Sequence, residues 1–243
     1  MKKLVITMPE HNEGDVLFDF VRSLLVTFEE AFFIIVDDKS PKNFQIKLKE
    51  EYENKINYFL IFNEVNLGHG ISTLNGLKKA IELDFEYIIA VDGDGQFEAK
   101  DIRSCFEFIM ANPDTDLIEG IRIFRNEPWF RKLISYFSRL LIFSKTLNWP
   151  KDANTPLRVY KKHVLEDLLK SVPSDSIIPN LHISKLTRKK RLNFKEIRVM
   201  SLPRGGKKDL NLPGVTWKQK FKFLPSKRLI LFCIKATKEW IVT

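Results

Sequence analysis

The feature that most constrains this chain is an alternation. Four short β-rich runs, Leu4-Val5-Ile6-Thr7, Phe32-Phe33-Ile34-Ile35-Val36, Tyr58-Phe59-Leu60-Ile61-Phe62 and Tyr87-Ile88-Ile89-Ala90-Val91, are separated by stretches with helical spacing. Those stretches run from Asp15 to about Glu30, from near Asn43 to Asn54, and through Leu74, Leu77, Ala80 and Ile81. A run that is apolar at successive positions is apolar on both faces and needs cover on both. Strands of that kind with helices between them imply an α/β fold, a mostly parallel sheet with helices on both faces.

The second half continues with a long amphipathic stretch from Glu127 to Trp149, in which Trp129, Phe130, Leu133, Ile134, Phe137, Leu140 and Leu141 recur at helical spacing among cations. Helices around His163 to Lys170 and Pro179 to Lys190 precede a strand at Phe194 to Met200. The segment from Ser201 to Ser226 holds Pro203, Gly205, Gly206, Pro213, Gly214 and Pro225 and reads as loop. Lys227 to Val242 closes as an amphipathic basic helix. The 243 residues fit one large domain over 1–210 with a basic tail over 211–243.

No apolar stretch approaches the ~20 residues of a spanning helix. The short apolar amino terminus is followed at once by Glu10, Glu13 and Asp15, so it reads as a first strand and not as a signal peptide. Cys105 and Cys233 are too few for a disulfide framework or a cysteine zinc site, which favours a reducing, cytoplasmic address.

The net charge of +9 conceals a division: residues 1–121 carry 12 Lys/Arg against 23 Asp/Glu, and residues 122–243 carry 28 against 8. A basic half suggests an anionic partner: nucleic acid, a phosphorylated substrate or a membrane surface. The acidic half concentrates its charge where strands end, at Pro9 to Glu13, Asp37-Asp38 and Asp92-Gly93-Asp94-Gly95-Gln96. Open α/β sheets bind ligands at the carboxyl ends of their strands, so three acidic ends in register mark a site, although each alone is an ordinary turn.

Asp92 to Gln96 is the sharpest signal. Two carboxylates one residue apart, after a buried strand, can divide labour between a ribose and a divalent ion that bridges a diphosphate. Hard oxygen ligands with Gln96 as a neutral third suit Mg²⁺ or Mn²⁺. The rest of a calcium-loop pattern is absent. His69, His163 and His182 have no carboxylate or cysteine at ligand spacing, which argues against a histidine metal site. Arg188-Lys189-Lys190-Arg191 reads as a solvated helix end.

The order of these motifs resembles the inverting family 2 glycosyltransferases of GT-A fold, within them the branch of dolichol-phosphate mannose synthases and polyprenyl-phosphate glycosyltransferases. Pro9-Glu10-His11-Asn12-Glu13 is similar to that family's Pro-x-Tyr-Asn-Glu, Val36 to Ser40 to its Val-Asp-Asp-x-Ser, and Asn66 to Gly70 to its Asn-x-Gly-x-Gly. Asp92 to Gln96 resembles Asp-x-Asp-x-Gln, and Gly120-Ile121-Arg122 resembles Gly-x-Arg. Asp152 to Arg158 parallels Asp-x-x-Ser-Gly-Phe-Arg, and Arg204-Gly205-Gly206-Lys207 falls near a late Arg/Gly/Lys loop. The likeness covers residues 4 to about 210. His11 replaces the usual Tyr, Thr155-Pro156-Leu157 replaces Ser-Gly-Phe, and the late loop lacks the common Ser before Lys.

The resemblance implies that Pro9, His11, Glu13, Asp38, Asp92 and Arg204 bind the nucleotide, with Asp38 accepting from the base and Asp92 near the ribose, and that Asp94 and Gln96 hold Mg²⁺ or Mn²⁺. It implies that Arg122, Arg131 and Ser135 grip an acceptor phosphate, with Arg158 among the catalytic residues. Arg131 and Ser135 are four apart and share a helix face. The reaction implied is transfer of a sugar, with inversion, from a nucleotide diphosphate sugar to a polyprenyl monophosphate at the cytoplasmic face of an anionic membrane. A homo-oligomer or a membrane-anchored partner stays open. The alternative, transfer to a saccharide hydroxyl, needs a positioned base, and no Glu-Asp pair stands between Asp175 and Lys190, where His182 is the remaining candidate. A nucleic-acid module would interleave stacking aromatics with its cations, whereas most aromatics here are at core spacing; no nucleic acid is expected.

Overall fold

The computed structural model describes residues 2–123, 129–203 and 227–243. The first half alternates as its sequence requires: β1 (Lys2–Glu10), α1 (Asp15–Thr27), β2 (Phe32–Asp37), α2 (Lys42–Tyr52), β3 (Tyr58–Phe62), α3 (His69–Glu82), β4 (Phe85–Ala90) and α4 (Ala99–Ala111). There follow β5 (Leu117–Ile123), α5 (Trp129–Thr146), β6 (Arg158–Lys161), α6 (Lys162–Leu169), α7 (Pro179–Lys189), β7 (Phe194–Met200) and α8 (Lys227–Val242). Among the described residues the sheet has seven strands, in the order β3-β2-β1-β4-β6-β5-β7. β6 alone runs antiparallel to its neighbours β4 and β5, so the sheet is mostly parallel.

Burial on both faces follows the pleat. Leu4, Ile6 and Met8 of β1 join Leu17, Phe20, Val21 and Leu24 of α1 and the inner faces of α2 and α4. Val5, on the opposite face, joins Leu74, Leu77 and Ala80 of α3 with residues of α6 and α7. Each large apolar side chain so enclosed contributes about 1.5–3 kcal/mol. α3 lies unusually close to the sheet because Gly76 faces it: a Cβ there would stand 2.2 Å from Thr7 Oγ1. That contact brings the start of α3 to the carboxyl edge of β1.

α4, β5 and β6 are elements that the reading of apolar runs does not single out. β5 carries Glu119, Gly120 and Arg122 within seven residues, and β6 is four residues long and begins with Arg158. The charges belong to an ionic cluster sealed inside the fold. Glu119 and Arg158 face each other across β5 and β6, and both are fully buried. Glu119 Oε2 accepts from Arg188 of α7 at 2.8 Å, and Arg188 also reaches Glu196 Oε1 of β7 at 3.3 Å. Arg158 donates to the Thr155 carbonyl, to Asn180 and to Ser184 Oγ. The solvated helix end therefore begins one residue late: Lys189, Lys190 and Arg191 are exposed, but Arg188 is buried, because the sheet beneath supplies two carboxylates.

Glu119→Ala should cost about 3–5 kcal/mol of stability, since it leaves two buried guanidinium groups facing one remaining carboxylate. Urea unfolding would measure it, and a loss under about 1 kcal/mol would mean that Asn180, Ser184 and Glu196 suffice to hold both cations.

Candidate active site

The three acidic strand ends meet. Glu10 and Asp37 are register partners at the ends of β1 and β2, and Asp38 N donates to the Glu10 carbonyl at 3.0 Å. Gly93 N donates to the Pro9 carbonyl at 3.1 Å, which holds the turn after β4 beside the end of β1. β1 is the strand from which the chain first winds one way to β2 and β3 and then returns to β4 on the other side, so a crevice opens at its end. A cleft of about 190 Å³ lies there, lined by Pro9, His11, Glu13, Asp38, Asp92 and Asp94 together with Glu10, Asn66, His69 and Ser72. A larger trough of about 1400 Å³ opens near Lys3, Glu29, Asn57 and Arg103, at the amino ends of β1 and β4. It is wide but gathers no comparable set of converging carboxylates.

Asp38 organises the cleft wall. Its Oδ1 accepts from Asn63 Nδ2 at 3.0 Å and from Leu67 N at 2.8 Å, and its Oδ2 accepts from Gly68 N at 2.8 Å. The side chain thus fastens the loop that leads into α3 as well as facing the cleft. His11 Nδ1 pairs with the Asp38 carbonyl at 2.9 Å, which Asn66 Nδ2 also approaches at 3.2 Å. The His11 ring thereby stands at the rim, exposed.

Beneath them lies a carboxyl pair. Glu10 is 4% exposed, its Oε1 accepts from Ser40 Oγ at 3.1 Å, and burial, then the neighbouring Asp37, push its carboxyl up to about 9. For Asp37 burial also works upward, but hydrogen bonds from Glu10, Ser40 and Gln45 outweigh it and hold the group below its ordinary value. The pair shares one proton, carried on Glu10. Folded Glu10 therefore keeps a proton that the unfolded chain releases above its ordinary value of 4.5, so stability falls as pH rises from there toward 9. Glu10→Gln, which keeps a donor toward Asp37, should remove that slope and gain ~1–3 kcal/mol near pH 8. Urea unfolding at several pH values would decide; parallel curves for variant and wild type would mean that Glu10 is ionised in the folded protein.

Asp92 and Asp94 occupy the other side of the cleft. Asp94 is 9% exposed, and Asp94 Oδ1 accepts from Gln96 N at 3.2 Å. Gln96 is tied to the chain leaving β7, through its carbonyl to Leu202 N at 2.9 Å and its side-chain amide near the Leu202 carbonyl. Asp92 Oδ1 lies 3.4 Å from His69 Nε2. Among the described residues no group of three or more His, Cys, Asp or Glu side chains is placed to hold a metal. The donor set still fits Mg²⁺ or Mn²⁺, which are commonly held by one or two carboxylates with the remaining oxygens from phosphate and water.

The residues expected at an acceptor are not gathered in this cleft. Arg122 makes a two-pronged pair with Asp152, at 2.8 and 3.1 Å, and donates to the Asn154 carbonyl. Arg158, expected among the catalytic residues, has no exposed surface and belongs to the ionic cluster: every donor but Nε is committed to protein oxygen, and Nε is enclosed 3.6 Å from Glu119. Arg131 and Ser135 lie on α5, Arg131 exposed and Ser135 half-buried, and line neither the cleft nor the grooves beside it. Arg204 lies outside the described residues.

Those grooves are apolar. One, of about 680 Å³, runs between α5, residues 177–181 and α8, and it shares Gly68 and His69 with the acidic cleft. A second, of about 480 Å³, lies between Trp129, Leu133 and Ile134 of α5 and Ile230, Cys233 and Ile234 of α8. Trp129, Phe137, Leu231 and Ile234 around them are about half exposed. His182 is enclosed: its ring is 1% exposed, stacks on buried Trp240, and pairs with Glu239 Oε1 at 2.8 Å. Burial lowers its pKa and Glu239 only partly offsets that.

Glu10, Asn66, His69 and Ser72 are cleft residues that the sequence reading did not assign. Glu10, Asn66 and His69 lie inside motifs already quoted, and their position at strand and helix ends is the signal that could have found them.

The Glycosyl transferase family 2 profile matches residues 5–169. An uncharacterized protein of Methanocaldococcus jannaschii is 29% identical over 174 residues, 68% of this chain and 74% of that one. The UDP-N-acetylglucosamine–dolichyl-phosphate N-acetylglucosaminyltransferase of Methanococcus voltae is 27% identical over 219 residues, 83% of this chain and 86% of that one. Among solved structures, glucosyl-3-phosphoglycerate synthase from Mycobacterium tuberculosis superposes with a TM-score of 0.61 at 11% identity, covering 84% of this chain and 72% of that one. A Pyrobaculum calidifontis mannosyltransferase in complex with GDP-Man and Mn²⁺ follows at 0.56 and 15%, covering 83% and 57%. TarS residues 1–349 from S. aureus, in complex with UDP-GlcNAc, give 0.53 at 20%, covering 82% and 55%. The family match spans two thirds of the length, and this chain belongs to glycosyl transferase family 2.

Proposed function

We propose that the chain transfers one sugar, with inversion, from a nucleotide diphosphate sugar to a polyprenyl monophosphate at a membrane surface. The observation that carries this reading is the meeting of an acidic cleft with an apolar groove at Gly68 and His69. A polar donor and a lipid-linked acceptor need such a junction. The Methanococcus voltae relative, whose name states a nucleotide sugar and a dolichyl phosphate, supports the same pairing. In this reading residues 1–210 form the catalytic domain and 211–243 a basic tail.

Pro9, His11, Glu13 and Asp38 would hold the base and ribose, with Asp92 beside the ribose. Asp94 and Gln96 would hold Mg²⁺ or Mn²⁺, which neutralises charge on the departing diphosphate. The acceptor phosphate oxygen forms the new bond to the anomeric carbon as the bond to the nucleoside diphosphate breaks, and the electron pair leaves with that diphosphate. A phosphate is already anionic at neutral pH, so the chain need only position it. Arg131 and Ser135 would do so from α5; Arg122 would join them only by exchanging Asp152 for the phosphate. The saccharide-hydroxyl reading needs a base, and His182 is closed off behind Trp240 and Glu239.

Among the described residues no helix is long and apolar enough to cross a membrane. Docking on the cytoplasmic face would instead use the exposed aromatics of α5 and α8 with nearby cations, each worth about 1 kcal/mol near an anionic leaflet.

Asp94→Ala should abolish sugar transfer with an unchanged melting temperature; near-normal turnover at saturating donor would remove Asp94 from the metal site. With a short-chain prenyl phosphate as acceptor, Arg131→Ala should lower kcat/KM by at least ~10-fold, the loss expected from a charge-assisted phosphate contact. Co-sedimentation with anionic liposomes should disappear at high salt and weaken in Trp129→Ala. Transfer to a soluble sugar, with none to prenyl phosphate, would favour the saccharide acceptor instead.

A further inference from the structure

α8 enters the fold through the buried ring of Trp240 and the carboxylate of its neighbour Glu239. Glu239 Oε1 accepts from Ser176 Oγ and from His182 Nε2, and Glu239 Oε2 accepts from Ile177 N at 3.0 Å. These bonds pin the strap of residues 174–178, which Lys78 of α3 also holds through the Ser174 carbonyl at 3.1 Å. The same strap presses on the first turn of α3. The Ile177 carbonyl oxygen would stand 2.3 Å from a Cβ at Gly70, so only glycine fits beneath it. The neighbouring His69 reaches Asp92 across the cleft, 3.4 Å away, and lines both the cleft and the groove that α8 walls. An unbroken series of contacts thus runs from Glu239 through Ile177 and Gly70 to His69 and Asp92.

We propose that Glu239 is a positioning residue that ties α8 to the nucleotide cleft: by fixing the strap it fixes the start of α3, and with it His69. Glu239 lines neither the cleft nor the grooves, so it acts through these neighbours. Packed contacts of this kind transmit displacement because close-packed interiors yield little. Coupling between two sites is reciprocal, so whatever seats α8 more firmly also favours the nucleotide-binding form of the cleft. The inference rests on the reading of the cleft as a nucleotide site.

The test compares wild type with Glu239→Ala, Glu239→Gln and, as a destabilising control in the opposite layer, Ile109→Val. Affinity for UDP and for GDP, each with Mn²⁺, is measured by calorimetry, and amide hydrogen exchange is followed along the whole chain. Glu239→Ala should weaken the nucleotide that binds by about tenfold at unchanged stoichiometry, and residues 69–73 should exchange faster. Glu239→Gln, which retains an acceptor for Ile177 N, should recover most of the affinity. Faster exchange confined to α8 with wild-type affinity, or an equal loss in Ile109→Val, overturns the proposal. Should wild type bind neither nucleotide, the reading of the cleft fails and exchange at residues 69–73 alone decides this one. If Glu239→Ala does not fold, Gly70→Ala pushes the strap from the other side: faster exchange at residues 236–241 supports the link, and unchanged exchange there overturns it.

Discussion

Three donors converge on the carboxylate of Asp38, and the cleft depends on them. A buried charge is tolerable only when hydrogen bonds replace its water, and here Asn63, Leu67 and Gly68 supply them. Because two of those donors are backbone groups of the segment before α3, satisfying the charge also sets where that helix begins. The start of α3 in turn places His69 over Asp92, and Gly76 lets the helix body settle on β1. Position and electrostatics are one problem at this edge of the sheet.

The other half of the sheet solves a different problem. β6 runs against its neighbours, so segment 147–157 must bring the chain back to the carboxyl edge before β6 can start. Thr155 Oγ1 donates to the Gly120 carbonyl there, and Asp152 matches Arg122. Deeper in, Glu119, Arg158, Arg188 and Glu196 balance one another across β5, β6, α7 and β7. Arginine suits this place because its rigid fork can serve several acceptors at once. These buried charges fix the angle of α7, on which α5 and α8 rest.

Sequence made the first four strands legible because each is a continuous apolar run ended by acidic or glycine-rich turns. β5 and β6 escaped that logic, since their interiors carry Glu119, Arg122 and Arg158, residues that read as motif and not as strand. The six cleft residues read from the nucleotide-like motifs, Pro9, His11, Glu13, Asp38, Asp92 and Asp94, come together because they sit at strand ends that any parallel sheet must align. What a sequence hides is the partner thirty residues away. Arg122 looks like a free cation until Asp152 lies beside it, and Arg188 looks solvated until Glu119 and Glu196 lie under it.

The two cysteines differ sharply in surroundings. Cys105 is fully buried on the inner face of α4, and burial pushes its thiol up to about 12, so neither reagent nor base can reach it in the folded chain. Cys233 is partly open and lines both apolar grooves, with its thiol raised only by partial burial. A fluorophore coupled to the native chain through thiol chemistry would therefore land on α8 alone, between the grooves. Its emission would report the polarity of that one place, and hence the arrival of hydrocarbon there, without any engineered residue.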